Sequence, residues 1–218
     1  MVRVVAVTEA IKSLSELETK FGLQRCLDPE FFQEWQSDLP ALTEADKVAI
    51  ATLWRRLTYH RATGNLLEGA VMLLAASPLL EAADFYDPPF RMQAETSMEL
   101  AVSDDEEMLR GRLDILTLQD QVWALVLESK KTIISLRSAL PQVLAYLLAS
   151  PKKPATFLFG CLTNGDDILF IKLVNQPTPQ YALSRVFSLY TLVSELETAL
   201  RILKKMGQCV MPNQDSAS

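Results

Sequence analysis

The sequence predicts an α/β protein, and three observations carry that expectation. Helical spacing of apolar residues dominates positions 13–80, strict two-residue alternation takes over from Phe90, and Val122–Val126 is apolar on both faces. A strand apolar on both faces is central and covered on both sides, so helices must flank a sheet. A chain of 218 residues can bury a substantial core as one unit.

The elements follow in order. Residues 13–23 (SLSELETKFGL) place Leu14, Leu17 and Phe21 near helical spacing. Asp28-Pro29 caps a short segment, EFFQEW, with proline in the favoured first turn. Thr43 opens a longer helix over 44–62, with Asp46 three residues after the cap, close to a capping box. Thr63-Gly64-Asn65 breaks the chain, and Asn65 caps a helix over 66–80 whose apolar content on nearly all sides predicts burial. Phe90 to Val102 alternates as a half-exposed strand. An acidic turn, Ser103 to Glu107, precedes a second strand over Met108 to Leu118. Gln119-Asp120-Gln121 turns it into a third strand over 122–130. A helix over 136–149 must tolerate Pro141 early or kink there. Strands over 155–162 and 168–174 flank a TNGDD hairpin turn. A long helix over 183–206 ends in lysines that match its dipole. The expected architecture is therefore a mixed five-stranded sheet flanked by helices. A helical extension occupies 1–64, the core domain 65–208, and a disordered tail 209–218.

Composition narrows the function classes. No apolar run reaches the roughly 18 residues of a membrane span, and the N-terminus turns polar too early for a signal peptide. A cytoplasmic protein without membrane contact is expected. Cys26, Cys161 and Cys209 are scattered without CxxC spacing, which argues against a disulfide framework and a structural zinc site. One histidine, His60, argues against a histidine-dependent triad. The net charge of −6 means that nucleic-acid binding must come from a local basic strip, a bound metal or a partner.

The chemistry concentrates between Met108 and Lys131. Strand alternation puts Glu128 and Lys130 on one face, two residues apart. The turn at Asp120 brings Asp114 on the preceding strand beside the Glu128 end. Two carboxylates and one ammonium gather at the edge of a covered sheet, an arrangement suited to phosphodiester hydrolysis. Paired carboxylates offer hard oxygen ligands to Mg²⁺ or Mn²⁺, the metal polarises phosphate and acidifies bound water, and the ammonium offsets charge in the transition state.

Asp114, then Glu128-Ser129-Lys130, with Gly111 near the aspartate where proline is sometimes found, resembles the PD-(D/E)xK restriction-endonuclease-like superfamily. The resemblance implies a core of helix, three-stranded meander, helix and further strand. It also implies Mg²⁺, with Mn²⁺ able to substitute, held by Asp114 and Glu128 with Glu68 assisting. Lys130 would activate water and Gln142 would orient substrate or water. More narrowly, the chain is similar to small bacterial proteins related to the N-terminal nuclease domain of type I restriction R subunits, including the SELETKFGLQR start and the SPLL…PPF stretch. That similarity implies an endonuclease hydrolysing DNA in a restriction or defence setting. The chain has no GxxxxGK[ST] loop and so no motor of its own, which points to a separate specificity or motor protein. Cutting both strands is simplest with two copies about a two-fold axis, so a homodimer fits.

Other readings stand beside these. Glu68, three residues after Asn65, also fits a capping box, which need not exclude metal binding. Gln142 also fits a surface position, with Tyr146 one turn later on its face. Arg110, Arg112 and Lys131 are candidates for DNA phosphates, while a strand-edge ion pair suits the two arginines equally. The runs Asp104–Glu107 and Asp166-Asp167 read as turns. The central trio also fits a structural ion-pair cluster, and the whole chain fits a non-catalytic nucleic-acid-binding or assembly module that keeps the nuclease fold.

Overall fold

Local chemistry sets the helix ends in the computed structural model, which describes residues 3–6, 11, 13–64, 66–90, 92–93, 97–101, 107–112, 115–118, 122–126, 136–149, 157–175 and 177–211. Side chains are described in these segments except in 3–6, at 68 and in the strands between 92 and 126. Helix α1 (Leu14–Phe21) starts behind Ser13, whose hydroxyl accepts from the Glu16 amide at 3.2 Å, and stops at Gly22 with φ 61°, the left-handed position that favours glycine. Asp28 accepts from the Glu30 amide at 2.9 Å and opens a 3-10 segment, Pro29–Trp35. Thr43 and Asp46 form the expected capping box at the head of α2 (Glu44–Arg61), with bonds of 3.2 and 2.8 Å. The run expected as one helix over 66–80 is instead α3 (Glu68–Val71), a π-helical turn (Met72–Ala76) and α4 (Ser77–Ala82). Helix α5 (Leu136–Leu148) accommodates Pro141 in its first half, and α6 spans Val193–Val210.

The strands are β1 (Arg3–Ala6), β2 (Gln24–Arg25), β3 (Met92–Gln93), β4 (Ser97–Ala101), β5 (Glu107–Arg112), β6 (Ile115–Leu118), β7 (Val122–Val126), β8 (Leu158–Thr163), β9 (Asp167–Val174) and β10 (Gln180–Ser188). They form a seven-stranded mixed sheet of order β2-β10-β9-β8-β7-β6-β3 and a three-stranded sheet of order β1-β5-β4. Alternation along β8 to β10 then divides the core in two. Phe159, Cys161, Ile168, Phe170, Ala182 and Phe187 meet Ile50, Leu53 and Leu57 of α2 and Leu196, Leu200 and Leu203 of α6 on one face. Leu158, Leu162, Leu169, Ile171, Leu173 and Tyr181 meet Leu17 of α1 and Leu140, Val143, Leu144 and Leu147 of α5 on the other. Each fully buried Leu, Ile or Phe contributes about 1.5–3 kcal/mol, so both helical layers are needed to hold the sheet. The α/β class expected from sequence is the class observed.

Several boundaries differ from expectation, each for a physical reason. The segment expected as one strand from Phe90 to Val102 is split between β3 and β4, and that from Met108 to Leu118 between β5 and β6, with the halves in different sheets. Side-chain alternation continues unchanged through such a break, so periodicity cannot see it. Residues 183–188, expected as the start of the last helix, belong to β10. The register of β10 on β9 shifts between Leu183 and Val186. In the sequence Leu183, Val186, Phe187 and Tyr190 fall at helical spacing, but Phe187 is buried while Val186 and Tyr190 are exposed. Residues 1–64 are not purely helical, since β1 pairs with β5 and β2 with β10. They also share both cores, and Tyr181 Oη donates to Glu18 Oε1 at 2.9 Å, tying α1 to β10. Helix α6 continues to the buried Val210, inside the segment expected as a tail; residues 212–218 lie outside the described residues.

One ion pair fastens the 3-10 segment to the sheet. Lys172 Nζ lies 2.6 Å from Glu34 Oε1, with the two side chains 14% and 15% exposed. Its ammonium is also 5.3–6.0 Å from the ring centres of Phe31, Phe157 and Phe159, a cation–π setting. Glu34 Oε2 is buried without a hydrogen-bond partner among the described residues. Removing one partner leaves a nearly buried charge, whereas removing both leaves an apolar contact. Lys172→Met is therefore expected to cost about 2 kcal/mol in urea unfolding, and Lys172→Met/Glu34→Leu to recover most of that loss. Additive losses in the double variant would contradict this account.

Candidate functional site

One end of the seven-stranded sheet gathers the described residues that flank the acids in the chain. β7 and β8 run parallel with Val126 in register with Thr163, and β6 runs antiparallel to β7 with Ile115 in register with Leu125. Ile115, Val126 and Thr163 therefore stand at the same end. Ile115 immediately follows Asp114 in the chain, and Val126 precedes Glu128 by two residues. Asp114, Glu128, Lys130 and Lys131 themselves lie outside the described residues.

The β8–β9 turn closes this end. Asn164 Oδ1 accepts from the Asp166 and Asp167 amides at 3.1 and 2.9 Å, and the Thr163 hydroxyl accepts from the Gly165 amide at 3.1 Å. Gly165 has φ 90°, and a Cβ at that position would stand 2.9 Å from Val71 Cγ2. The turn is thus pressed against α3. Glu68 is the first residue of α3, three residues and roughly 5 Å of helix axis from Val71. Leu66 and Leu67 are not helical, so Glu68 occupies the first turn. A capping box from Asn65 would need the helix to begin two residues earlier. The π-helical turn that follows α3 packs against β7, and such turns often accompany functional sites.

Helix α2 is anchored at the same corner. Arg61 Nε donates to Asp166 Oδ1 at 2.5 Å, a second guanidinium nitrogen donates to Asp166 Oδ2, and another donates to the Gly64 carbonyl at 3.2 Å. This two-pronged contact is the strong form of an arginine–carboxylate pair. Asp166 therefore does more than shape a turn. No local signal announces the pair, because 105 residues separate its partners in the chain. Burial pushes the neighbouring Asp167 carboxyl above its usual range.

The other sequence-derived candidates are spread out. Gln142 lies half-buried on α5, which covers the opposite face of the sheet from α3. Arg110 and Arg112 lie on β5 in the three-stranded sheet, in register with Glu99 and Ser97 of β4. The structure thus sets them on a different sheet from β6 and β7. The cross-strand place opposite Glu99 is one where opposite charges support pairing. A groove of about 360 Å³ between α2 and α4 is lined by Ala45, Asp46, Ala49, Arg56, Glu81 and Asp84, among others, and by none of these candidates.

Tyr146 joins Gln142 on one face of α5. Its hydroxyl is buried without a hydrogen-bond partner among the described residues. Burial pushes the phenol above its ordinary pKa, and hydrogen bonding from the Gln142 side chain, too poorly aligned to satisfy the hydroxyl, offsets part of that rise. An unsatisfied buried hydroxyl costs free energy. Tyr146→Phe is accordingly expected to leave thermal stability unchanged or raise it by up to about 1 kcal/mol. A loss above about 2 kcal/mol would reveal a partner for the hydroxyl.

Among the described residues no group of three or more His, Cys, Asp or Glu side chains stands close enough together to hold a metal ion. The residues implied as ligands are outside that set, Glu68 by its side chain. No helix among the described residues is long and apolar enough to cross a membrane. No family model matches the chain, and no curated protein matches it.

Proposed function

We propose that the chain is a Mg²⁺-dependent endonuclease-like protein that hydrolyses DNA phosphodiester bonds, built on a restriction-endonuclease-like core. The observation that carries this reading is the shared sheet end, where the flanks of Asp114 and Glu128 meet the turn that presses on the helix beginning at Glu68. The order of α3–α4, antiparallel strands, β7, α5 and a parallel β8 supports the core that the resemblance implies. On this reading, Asp114 and Glu128 ligate Mg²⁺ with Glu68 assisting. When bound there, Mg²⁺ would supply polarisation of the scissile phosphate and a lowered pKa for water. Lys130 steadies the attacking oxygen and the charge that builds on phosphorus. Gln142 lies on α5, across the sheet from α3, and on this reading it would orient substrate or water.

A setting in restriction or defence, with a separate protein supplying target recognition or a motor, follows from the same resemblance. The net charge of −6 favours a second version, a nuclease-fold module that binds nucleic acid or assembles with a partner without cutting. The test is incubation of the full chain with plasmid and single-stranded DNA in Mg²⁺ and in chelator. Metal-dependent nicking or cutting supports the first version. Intact DNA under every condition, with Mn²⁺ bound but inert, supports the second.

A further inference from the structure

The C-terminal half of α2 concentrates positive charge in an acidic protein. Residues 54–61 (WRRLTYHR) hold three arginines and the chain's only histidine, against a net charge of −6. The helix sorts them by face. Leu53 and Leu57 are buried in the core and Arg61 is held by Asp166. Arg56 faces the groove that contains Glu81 and Asp84, so acids balance it. Arg55, Tyr59 and His60 are exposed on the outer side. Tyr59 is 73% exposed, and its ring meets the His60 ring edge-on at 5.1 Å. Arg55 and Tyr59, four residues apart, are neighbours on that surface.

We infer that this exposed end of α2 holds a single strand of DNA beside the candidate cleavage site, an inference that rests on the nuclease reading. The exposed Arg55 guanidinium complements phosphate, and the exposed Tyr59 ring offers a platform on which a base stacks. Unpaired bases present their faces to such a ring and paired bases do not, which selects single-stranded over duplex DNA. Position supports the same occupant. Arg61, one residue beyond this surface, is fixed to the turn at the sheet end, and the chain then runs through Gly64 to Glu68. Along the helix axis, Tyr59 thus lies within one turn of the residue that anchors α2 at that corner.

The test measures binding of a fluorescein-labelled oligothymidylate of about 16 nucleotides to the full chain by anisotropy, without metal and across a salt series. Tyr59→Ala is expected to weaken binding at least about fivefold and Tyr59→Phe to retain it, because stacking needs the ring and not the hydroxyl. Arg55→Ala is expected to weaken binding and to lower the salt slope by about 0.7. Both positions are exposed, and far-ultraviolet circular dichroism checks that each variant is folded. Equal affinity of Tyr59→Ala, Arg55→Ala and wild type overturns the inference, as does tighter binding of a duplex or an oligouridylate of the same length. The nuclease reading fails separately: a strand bound through Tyr59 by a protein that takes up no Mn²⁺ and cuts no DNA keeps the surface and removes the metal site.

Discussion

Asp114→Ala is expected to reduce DNA cleavage by at least about a thousandfold while leaving the unfolding midpoint in urea unchanged. The magnitude follows from the role. On the proposed reading Asp114 is a metal ligand, so its loss would weaken metal binding and with it the activation of phosphate and water that the metal would supply. Lys130→Ala should fall by about 100- to 1,000-fold through a different route, because on the proposed reading the metal ligands would remain and only charge stabilisation in the transition state would be lost. A gel-based plasmid assay with a unfolding curve for each variant separates these losses from misfolding. Full activity in Lys130→Ala would remove that residue from the mechanism, and full activity in Asp114→Ala would remove the site.

Gly165→Ala is expected to cost about 3 kcal/mol in stability, the largest of the folding effects predicted for this protein. Two terms add. A Cβ is strained at φ 90°, which costs about 1–2 kcal/mol. The same Cβ would stand 2.9 and 3.2 Å from the two Val71 methyl groups, and overpacking of this kind costs about 1–3 kcal/mol. Val71→Ala in the same chain should recover the second term but not the first, so the double variant remains less stable than Val71→Ala alone. Chemical denaturation of the four proteins in this cycle checks the coupling. Simple additivity would mean that the turn does not press on α3. Because α3 begins at Glu68, Gly165→Ala should also weaken Mn²⁺ binding under conditions where it stays folded.

The sequence made the local features legible and hid the long-range ones. Ser13, Asp28 and Thr43 announce helix starts because capping is decided within three or four residues. The TNGDD turn announces the β8–β9 hairpin for the same reason. The alternating strands were visible as strands, but their assignment to two sheets was not, since alternation is blind to which neighbour a strand pairs with. The helical spacing of apolar residues from Leu183 to Tyr190 hides the strand β10, which only its pairing with β9 reveals. At the candidate site, the spacing of Asp114 and Glu128 across a turn was readable, and the register of β6 on β7 brings their flanking residues to one end. The contacts that build the rest of that corner, Gly165 on Val71 and Arg61 on Asp166, join distant parts of the chain and leave no local pattern. Gln142 lies on α5, the helix expected after the third strand, across the sheet from α3.

The most direct test of the metal-site account is calorimetric titration of Mn²⁺ into wild-type protein and into Asp114→Ala. The account predicts saturable binding by the wild type that the substitution removes, with both proteins equally folded. Equal binding by the two, or no binding by either even with a DNA oligonucleotide present to complete the ligand shell, would contradict it.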